Sequence, residues 1–403
     1  MAVRLCVGRT SEVGLARAAT HNKIVEHTSI CYDRGMSFEI GLATFGDLAP
    51  GQSAGQRMRE LLEEAQLADQ VGLDLFAVGE HHRPDYLVTS PAVVLAAIAA
   101  RTERIRLSSA VTVLSSDDPV RVFEEFMQLD LISGGRAEIM AGRGSFIESF
   151  PLFGYSLDDY DELYAEKLDL LLKLRAGNPV SWSGRHRAPL EAQSVSPRPL
   201  QEQLPVWVAV GGSPQSVIRA AQLQLPLTLA IIGGRWERFG AMIDLYRRAW
   251  AEFGHEPQAE VNRKVAINSH SFVAASRQEA DRIFAAPYLQ SMNRIGRERG
   301  WGPSGRREYE FLTSPGGAVM LGEPAGLVEK ILAQHDLFGH DRYLGQISFG
   351  AVPHAEVMKS IELFGTQVAP AVRQEITRRR ELGSVAGTRS LAEAPSPAGA
   401  ILK

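Results

Sequence analysis

Eight short apolar runs, separated by stretches of helical period, predict an α/β chain folded as a (β/α)8 TIM barrel with insertions. Each of the clearest runs ends in glycine or polar residues, which is how barrel strands deliver chemistry to the C-terminal mouth. No G-x-G-x-x-G follows the first run, where an open dinucleotide-binding sheet would carry one.

The fold is expected to start near Met36, with Phe38–Thr44 as the first buried strand. Residues 1–36 show neither strand nor helix period and read as an N-terminal extension, or as the product of an upstream start codon. Residues 56–71 place Met58, Leu61, Leu62, Ala65, Ala68 and Val71 on one helical stripe, and Gly72 stops it. Leu73–Val78 is the second strand. Ser90-Pro91 opens a helix with serine as cap and proline in the first turn. Ile105–Val113 is the third strand, and Asp118-Pro119 opens a helix that closes at Ser133-Gly134-Gly135. Ala137–Ala141 is the fourth strand, followed by an amphipathic helix over Tyr160–Arg175. Residues 177–204 read as an excursion with a small hairpin around Trp182.

Alternation then resumes. Val206–Val210 and Leu227–Ile232 are strands five and six, with helices over Pro214–Gln224 and Arg235–Phe253. Val265–Ala274 is the seventh strand. The pattern loosens after it, with helical patches at Arg277–Phe284 and Leu289–Glu298 and a glycine- and arginine-rich stretch from Gly300 to Gly317. Tyr343–Phe349 is the eighth strand, and Val357, Ile361, Phe364 and Val368 stripe the last helix. The barrel is expected to span 37–383, with a disordered tail at 384–403.

Composition narrows the function. A content of 45% hydrophobic residues supports a large core, and a net charge of −4 leaves no electrostatic footprint for nucleic acid or an acidic membrane. Only Cys6 and Cys31 occur, both ahead of the expected barrel, which excludes a disulfide framework, a cysteine nucleophile or a thiolate metal site in its body. No apolar run approaches the roughly 18 residues of a membrane span. A cytoplasmic enzyme is expected.

Three constellations carry chemistry. Glu80-His81-His82 follows strand two. Neighbours on an extended segment point to opposite sides, so the two imidazoles do not read as a metal chelate, and one of them facing the mouth suits proton transfer near neutral pH. Gly142-Arg143-Gly144-Ser145 follows strand four, where glycines admit a close ligand and the guanidinium can grip an anion. Gly211-Gly212-Ser213-Pro214 follows strand five, with Ser213 as helix cap and Ser216 one turn in. Free N–H groups and the positive helix end make this a phosphate site. Ile231-Ile232-Gly233-Gly234 adds an apolar wall and open backbone for a planar ring. A flat apolar head with a phosphate, lying near a histidine at a barrel mouth, fits FMN.

The Val-Gly-Glu-His-His of strand two, Thr-Val-Leu with Asp-Pro-Val-Arg over 112–121, Ser-Gly-Gly-Arg-Ala-Glu at 133–138 and Gly-Arg-Gly resemble the bacterial luciferase-like flavin monooxygenase superfamily over about residues 37–375. The pattern is most similar to the single-chain FMN-dependent members. The resemblance implies a homodimer that binds reduced FMN, supplied by a separate NAD(P)H:flavin reductase, reacts it with O2, and shelters a flavin hydroperoxide that oxidises a small organic substrate. It implies His81 as the proton-transfer histidine with His82 beside it, and Ala110–Val111 as a non-proline cis bond behind the flavin ring. Arg143, Ser213 and Ser216 would hold the phosphate. Thr44, Gly142, Gly144, Gly211, Gly212, Ile232 and Gly233 would complete the cofactor contacts, with no metal. Gly212 stands where the luciferase α subunit has an acidic residue and Gly142 where it has a cysteine, which puts light emission in doubt. The stretch after strand seven corresponds to a mobile lid, on which Met292, Asn293, Arg294 and Arg297 either close over substrate or decorate a solvated helix. Two other readings keep the barrel: a deazaflavin-dependent hydride-transfer enzyme that does not use O2, and a flavin-binding protein without turnover.

Overall fold

The computed structural model of the protein describes residues 38–144 and 146–392. The extension at 1–36, with Cys6 and Cys31, lies outside the described residues, as do Ser145 and the tail from 393.

Strands covered on both faces are rich in apolar residues, although polar side chains recur in the strands of this barrel. The first are β1 (Glu39–Thr44), β2 (Leu75–Val78) and β3 (Arg106–Ser109), which resumes as β4 (Thr112–Val113). The expected third strand is thus interrupted, and the interruption is a cis peptide bond between Ala110 and Val111. There follow β5 (Ala137–Gly142), β6 (Val180–Trp182), β7 (Leu190–Gln193), β8 (Val206–Val210), β9 (Leu227–Ala230), β10 (Val265–Val273), β11 (Met320–Gly322) and β12 (Arg342–Gln346). Parallel pairing runs β1–β2–β3–β5–β8–β9–β10–β12 and returns to β1, closing a (β/α)8 barrel. β6 and β7 form the antiparallel hairpin expected around Trp182.

The outer layer comprises α1 (Ala54–Gln70), α2 (Pro91–Ala99), α3 (Pro119–Ser133), α4 (Ser149–Phe153), α5 (Tyr160–Ala176), α6 (Pro214–Gln222) and α7 (Gly240–Glu252). It continues with α8 (Arg277–Glu298), α9 (Arg306–Leu312), α10 (Pro324–Phe338), α11 (His354–Leu363) and α12 (Ala369–Ala392). Asp118 caps α3, accepting from the backbone N–H of Val120 at 2.8 Å and Arg121 at 3.3 Å. Gly134 closes the same helix at φ 69°. Ser213 accepts from the N–H of Ser216 at 3.4 Å at the start of α6. Ser90 precedes Pro91 but makes no side-chain capping bond.

Three differences from the sequence reading have physical causes. The two patches after strand seven are one helix, α8, which carries Pro287 inside it. Tyr288, Ser291 and Phe284 stay buried on its inner face, so tertiary burial holds the helix through the proline. The loosened region also contains α10, whose buried Leu327, Ile331, Leu332 and Phe338 return the chain to β12. Helix α12 continues to Ala392, past the boundary expected at Gly383. One glycine costs a helix only about 1 kcal/mol relative to alanine, too little to end one already formed.

The barrel interior is stacked in layers. At the N-terminal floor, Arg342 is 1% exposed and bonds Glu39 Oε2 at 2.6 Å and Glu138 Oε1 at 2.6 Å. Arg106 adds a bond to Glu138 Oε2 at 2.8 Å. The Arg342 guanidinium lies 4.1 Å from the Trp207 ring centre, so its cation is covered by carboxylates at its edge and by an aromatic face above. Trp207, Leu75, Met140, Ala266 and Leu344 form the apolar layer over the floor. The space beyond is the mouth.

Burial pushes the Glu138 and Glu39 carboxyls up, but Arg342 and Arg106 together outweigh it and hold both below the ordinary value of 4.5. Their contribution to stability is therefore complete above that value and is lost as pH falls through the depressed folded values. Arg342→Met leaves buried carboxylate without its main countercharge and is expected to lower unfolding free energy by about 3–5 kcal/mol in chemical denaturation. Arg106→Met, which keeps Arg342, is expected to move the midpoint of acid unfolding to higher pH, read by circular dichroism.

Candidate active site

A cavity of about 470 Å³ opens at the C-terminal ends of the strands, within the size range of small-molecule and cofactor sites. Ala43 and Phe45 bound it from β1, Glu80 and His81 from the turn after β2, and Ala110 and Val111 from the break between β3 and β4. Gly142, Arg143 and Gly144 follow β5, and Gly211, Gly212, Ser213 and Ser216 follow β8. Thus most of the expected cofactor contacts, Ile232 included, do share one space. Gly233 does not line it. Thr44 is buried in the first turn, where its hydroxyl accepts from the N–H of Gly46 at 3.1 Å, and it does not line the cavity either.

The two histidines part company. His81 faces the cavity, packed between Phe45 at 4.6 Å, Tyr86 at 4.4 Å and Phe146 at 5.2 Å between ring centres. Its Nε2 is buried without a partner. Burial pushes the imidazole down to about 3, against a smaller opposing pull from Asp85, so the ring is neutral at physiological pH. His82 turns the other way, 2.9 Å from Glu80 Oε1 and edge-on to Phe153 at 5.0 Å. It lines a hollow near the starts of α2 and α3 and is not part of the cavity wall that His81 joins. The alternation of an extended segment, which argued against a chelate, also separates the pair.

Glu80, between them, ties the two sides together. Its Oε2 accepts from the N–H of Val113 at 2.8 Å, anchoring the segment that carries Ala110–Val111. Gly142 is required by that segment: a Cβ there would lie 2.6 Å from the Val111 side chain. The glycine therefore makes room for Val111, where the sequence suggested room for a ligand. Gly211 and Gly212 differ, since a Cβ at either meets nothing within 4 Å. Beside them stands the capped start of α6. Arg143 pairs with Asp161 and lies 5.1 Å from the Tyr160 ring centre, which positions a guanidinium at the same mouth.

Sequence reasoning missed the wall formed by Thr228, Asn268, His270 and Gln346. Thr228 Oγ1, His270 Nδ1 and both amide atoms of Gln346 are buried without partners. The available signal was the two-residue spacing of polar Asn268 and His270 inside an otherwise buried strand. The open glycine ledge and the helix start fit the anionic end of a ligand, and the orphaned groups fit an uncharged hydrogen-bonding group. A convergent trio of Asp159, Glu162 and His186 includes neither His81 nor His82, and Arg185 already pairs with its two carboxylates.

Above the cavity, Arg83 bonds Asp85 at 3.0 Å, Glu148, and Glu298 of α8 at 2.7 Å, while Arg294 of α8 lies 3.1 Å from Asp85. Asn293 is engaged instead with the backbone of Ser304 at 2.7 and 2.9 Å. None of Met292, Asn293, Arg294 and Arg297 lines the cavity.

The alkanal monooxygenase alpha chain of the Kryptophanaron alfredi symbiont is 29% identical over 344 residues, covering 79% of this chain and 94% of that one. The monooxygenase RslO1 from Streptomyces bottropensis is a solved structure similar to this fold, with a TM-score of 0.72, 26% identity, and coverage of 82% of this chain and 99% of that one. The oxygenating constituent of 3,6-diketocamphane monooxygenase from Pseudomonas putida, a type II Baeyer-Villiger monooxygenase solved in complex with FMN, has a TM-score of 0.69 at 21% identity. It covers 83% of this chain and 99% of that one. The family model described as luciferase-like monooxygenase matches residues 38–341, and the chain belongs to that family of oxygen-incorporating oxidoreductases.

Proposed function

We propose that the protein uses reduced FMN and O2 to oxidise a small organic substrate in the cytoplasm. The observation that carries this reading is a single cavity in which an open glycine ledge at a helix start meets a neutral, buried histidine. The phosphate would be held by the Ser213 N–H, the hydroxyls of Ser213 and Ser216, and Arg143, and the ring would lie along Ala110–Val111 and Ile232. When bound, reduced FMN supplies the electrons that activate O2. The protein's part is to bind, orient and exclude water. Phe45, Tyr86 and Phe146 keep the His81 side of the site dry, and His81 Nε2 is placed to hold or move one proton there. Reduced flavin would come from a separate NAD(P)H:flavin reductase. Exposed Val93 on α2, Leu131 and Ile132 on α3, and Leu152 and Phe153 on α4 support a homodimer.

An anaerobic titration with reduced FMN, followed by rapid mixing with O2 and monitored by absorbance, is expected to show binding and then an absorbing species between reduced and oxidised flavin. Weak binding with reoxidation at the free-flavin rate would overturn the reading and favour the deazaflavin enzyme. Tight binding of FMN with no effect of His81→Ala on any property but flavin affinity would favour the flavin carrier. For the phosphate, Ser213→Ala and Arg143→Ala are each expected to weaken FMN about tenfold or more, while leaving riboflavin binding unchanged, as loss of a hydrogen bond to a charged group requires. His81→Gln is expected to reduce turnover about 10²–10⁴-fold with little change in FMN affinity. Because His81 is neutral down to about pH 3, turnover should show no limb between pH 5 and 8 that His81→Gln abolishes.

A further inference from the structure

The order of the strands sets β10 across the barrel from β3 and β4, and β12 across from β5. The wall on the far side from Ala110–Val111 and Gly142 is thus the one carrying Thr228, His270 and Gln346. Gln346 is 1% exposed, Thr228 2% and His270 5%; each lines the cavity, and each has a buried polar atom without a partner. A buried polar group left unpaired costs about 1–3 kcal/mol, so three side chains of this kind lining one cavity point to a ligand that completes them.

The chemistry of that ligand follows from what the wall lacks. Phe349 packs on His270 at 4.5 Å and Tyr288 at 5.8 Å, which fixes the ring, and burial lowers its pKa to about 4, leaving it uncharged. Among the described residues, Arg143, which follows β5, is the one cation lining the cavity. Glu80, the one carboxylate among them, is engaged by Val113 and His82. An anionic or cationic group at the far wall would be desolvated with no countercharge. Gln346, by contrast, offers a donor and an acceptor side by side, both free.

We propose that Gln346, His270 and Thr228 form a subsite for the substrate's own polar function, an uncharged group with a hydrogen-bond donor beside an acceptor, of the carboxamide type, on an otherwise apolar frame. The proposal rests on the flavin reading above, which assigns Ala110–Val111, Arg143, Ser213, Ser216 and Ile232 to the cofactor and leaves Gln346, His270 and Thr228 to the substrate.

The test is a matched ligand series, octanamide, 2-octanone, octanoate and octylamine, titrated into the FMN-loaded protein and read by perturbation of the flavin spectrum. Octanamide is expected to bind most tightly, with octanoate and octylamine at least tenfold weaker. Gln346→Leu is expected to bring octanamide to the level of 2-octanone, a loss of about tenfold, with FMN affinity changed less than twofold. His270→Phe provides a second variant of conserved shape and is expected to weaken both neutral ligands more than the charged ones. Octanoate binding as tightly as octanamide, no binding of octanamide, or a Gln346→Leu effect equal for all four ligands would each overturn the subsite. The same series run without flavin, read as shifts in unfolding temperature, separates the two readings. If FMN fails to bind while octanamide still stabilises the protein selectively, the cofactor reading falls and the subsite stands.

Discussion

Closure of the barrel depends on one buried cation. Arg342 is fixed by Glu39 on the neighbouring β1 and by Glu138 on β5, with Arg106 of β3 completing a two-plus, two-minus set. Charges so deeply buried persist only when each lone pair and proton has a partner. That requirement fixes the relative heights of four strands at the floor, and therefore the relative heights of their opposite ends. Trp207, laid over the guanidinium, carries the same registration into the apolar layer above. The positions of His81, Ala110–Val111 and Gly142 at the mouth follow from it.

The floor and the mouth solve opposite problems. At the floor, the formal charges are paired with one another. At the mouth, the wall of β9, β10 and β12 is polar but uncharged, and its groups are left open. His81 belongs to the same regime, since an aromatic box rather than a carboxylate sets its protonation. A neutral, dry mouth above a charged, sealed base is suited to reactions in which a reactive species must be kept from water.

Legibility in the sequence followed the type of signal. The strands were readable because burial on both faces gives runs rich in apolar residues, and α3 and α6 because Asp118 and Ser213 announce them locally. The ledge at Gly211–Gly212 and the turn at Gly142–Gly144 were readable because glycine marks backbone geometry directly. The reason for Gly142 was not, because its constraint is the Val111 side chain, thirty-one residues earlier in sequence and adjacent only across two strands. The opposite turns of His81 and His82 were implied by strand alternation, but which of the two faces the cavity was not. Thr228, His270 and Gln346 escaped notice because a polar residue in a buried strand is as compatible with a core hydrogen bond as with a ligand. Only the missing partner distinguishes the two, and that is a property of the fold.

β12 carries Arg342, Leu344 and Gln346 at two-residue spacing along one face, so a single strand contributes to the floor, the apolar layer and the mouth. A one-residue slip of this strand would turn Tyr343, Gly345 and Ile347 inward and abolish all three at once. A substitution at 346 alone touches neither of the layers beneath it. A change of side chain at the top of β12 can therefore alter what the mouth accepts, while the strand's length and phase are held by the two layers beneath.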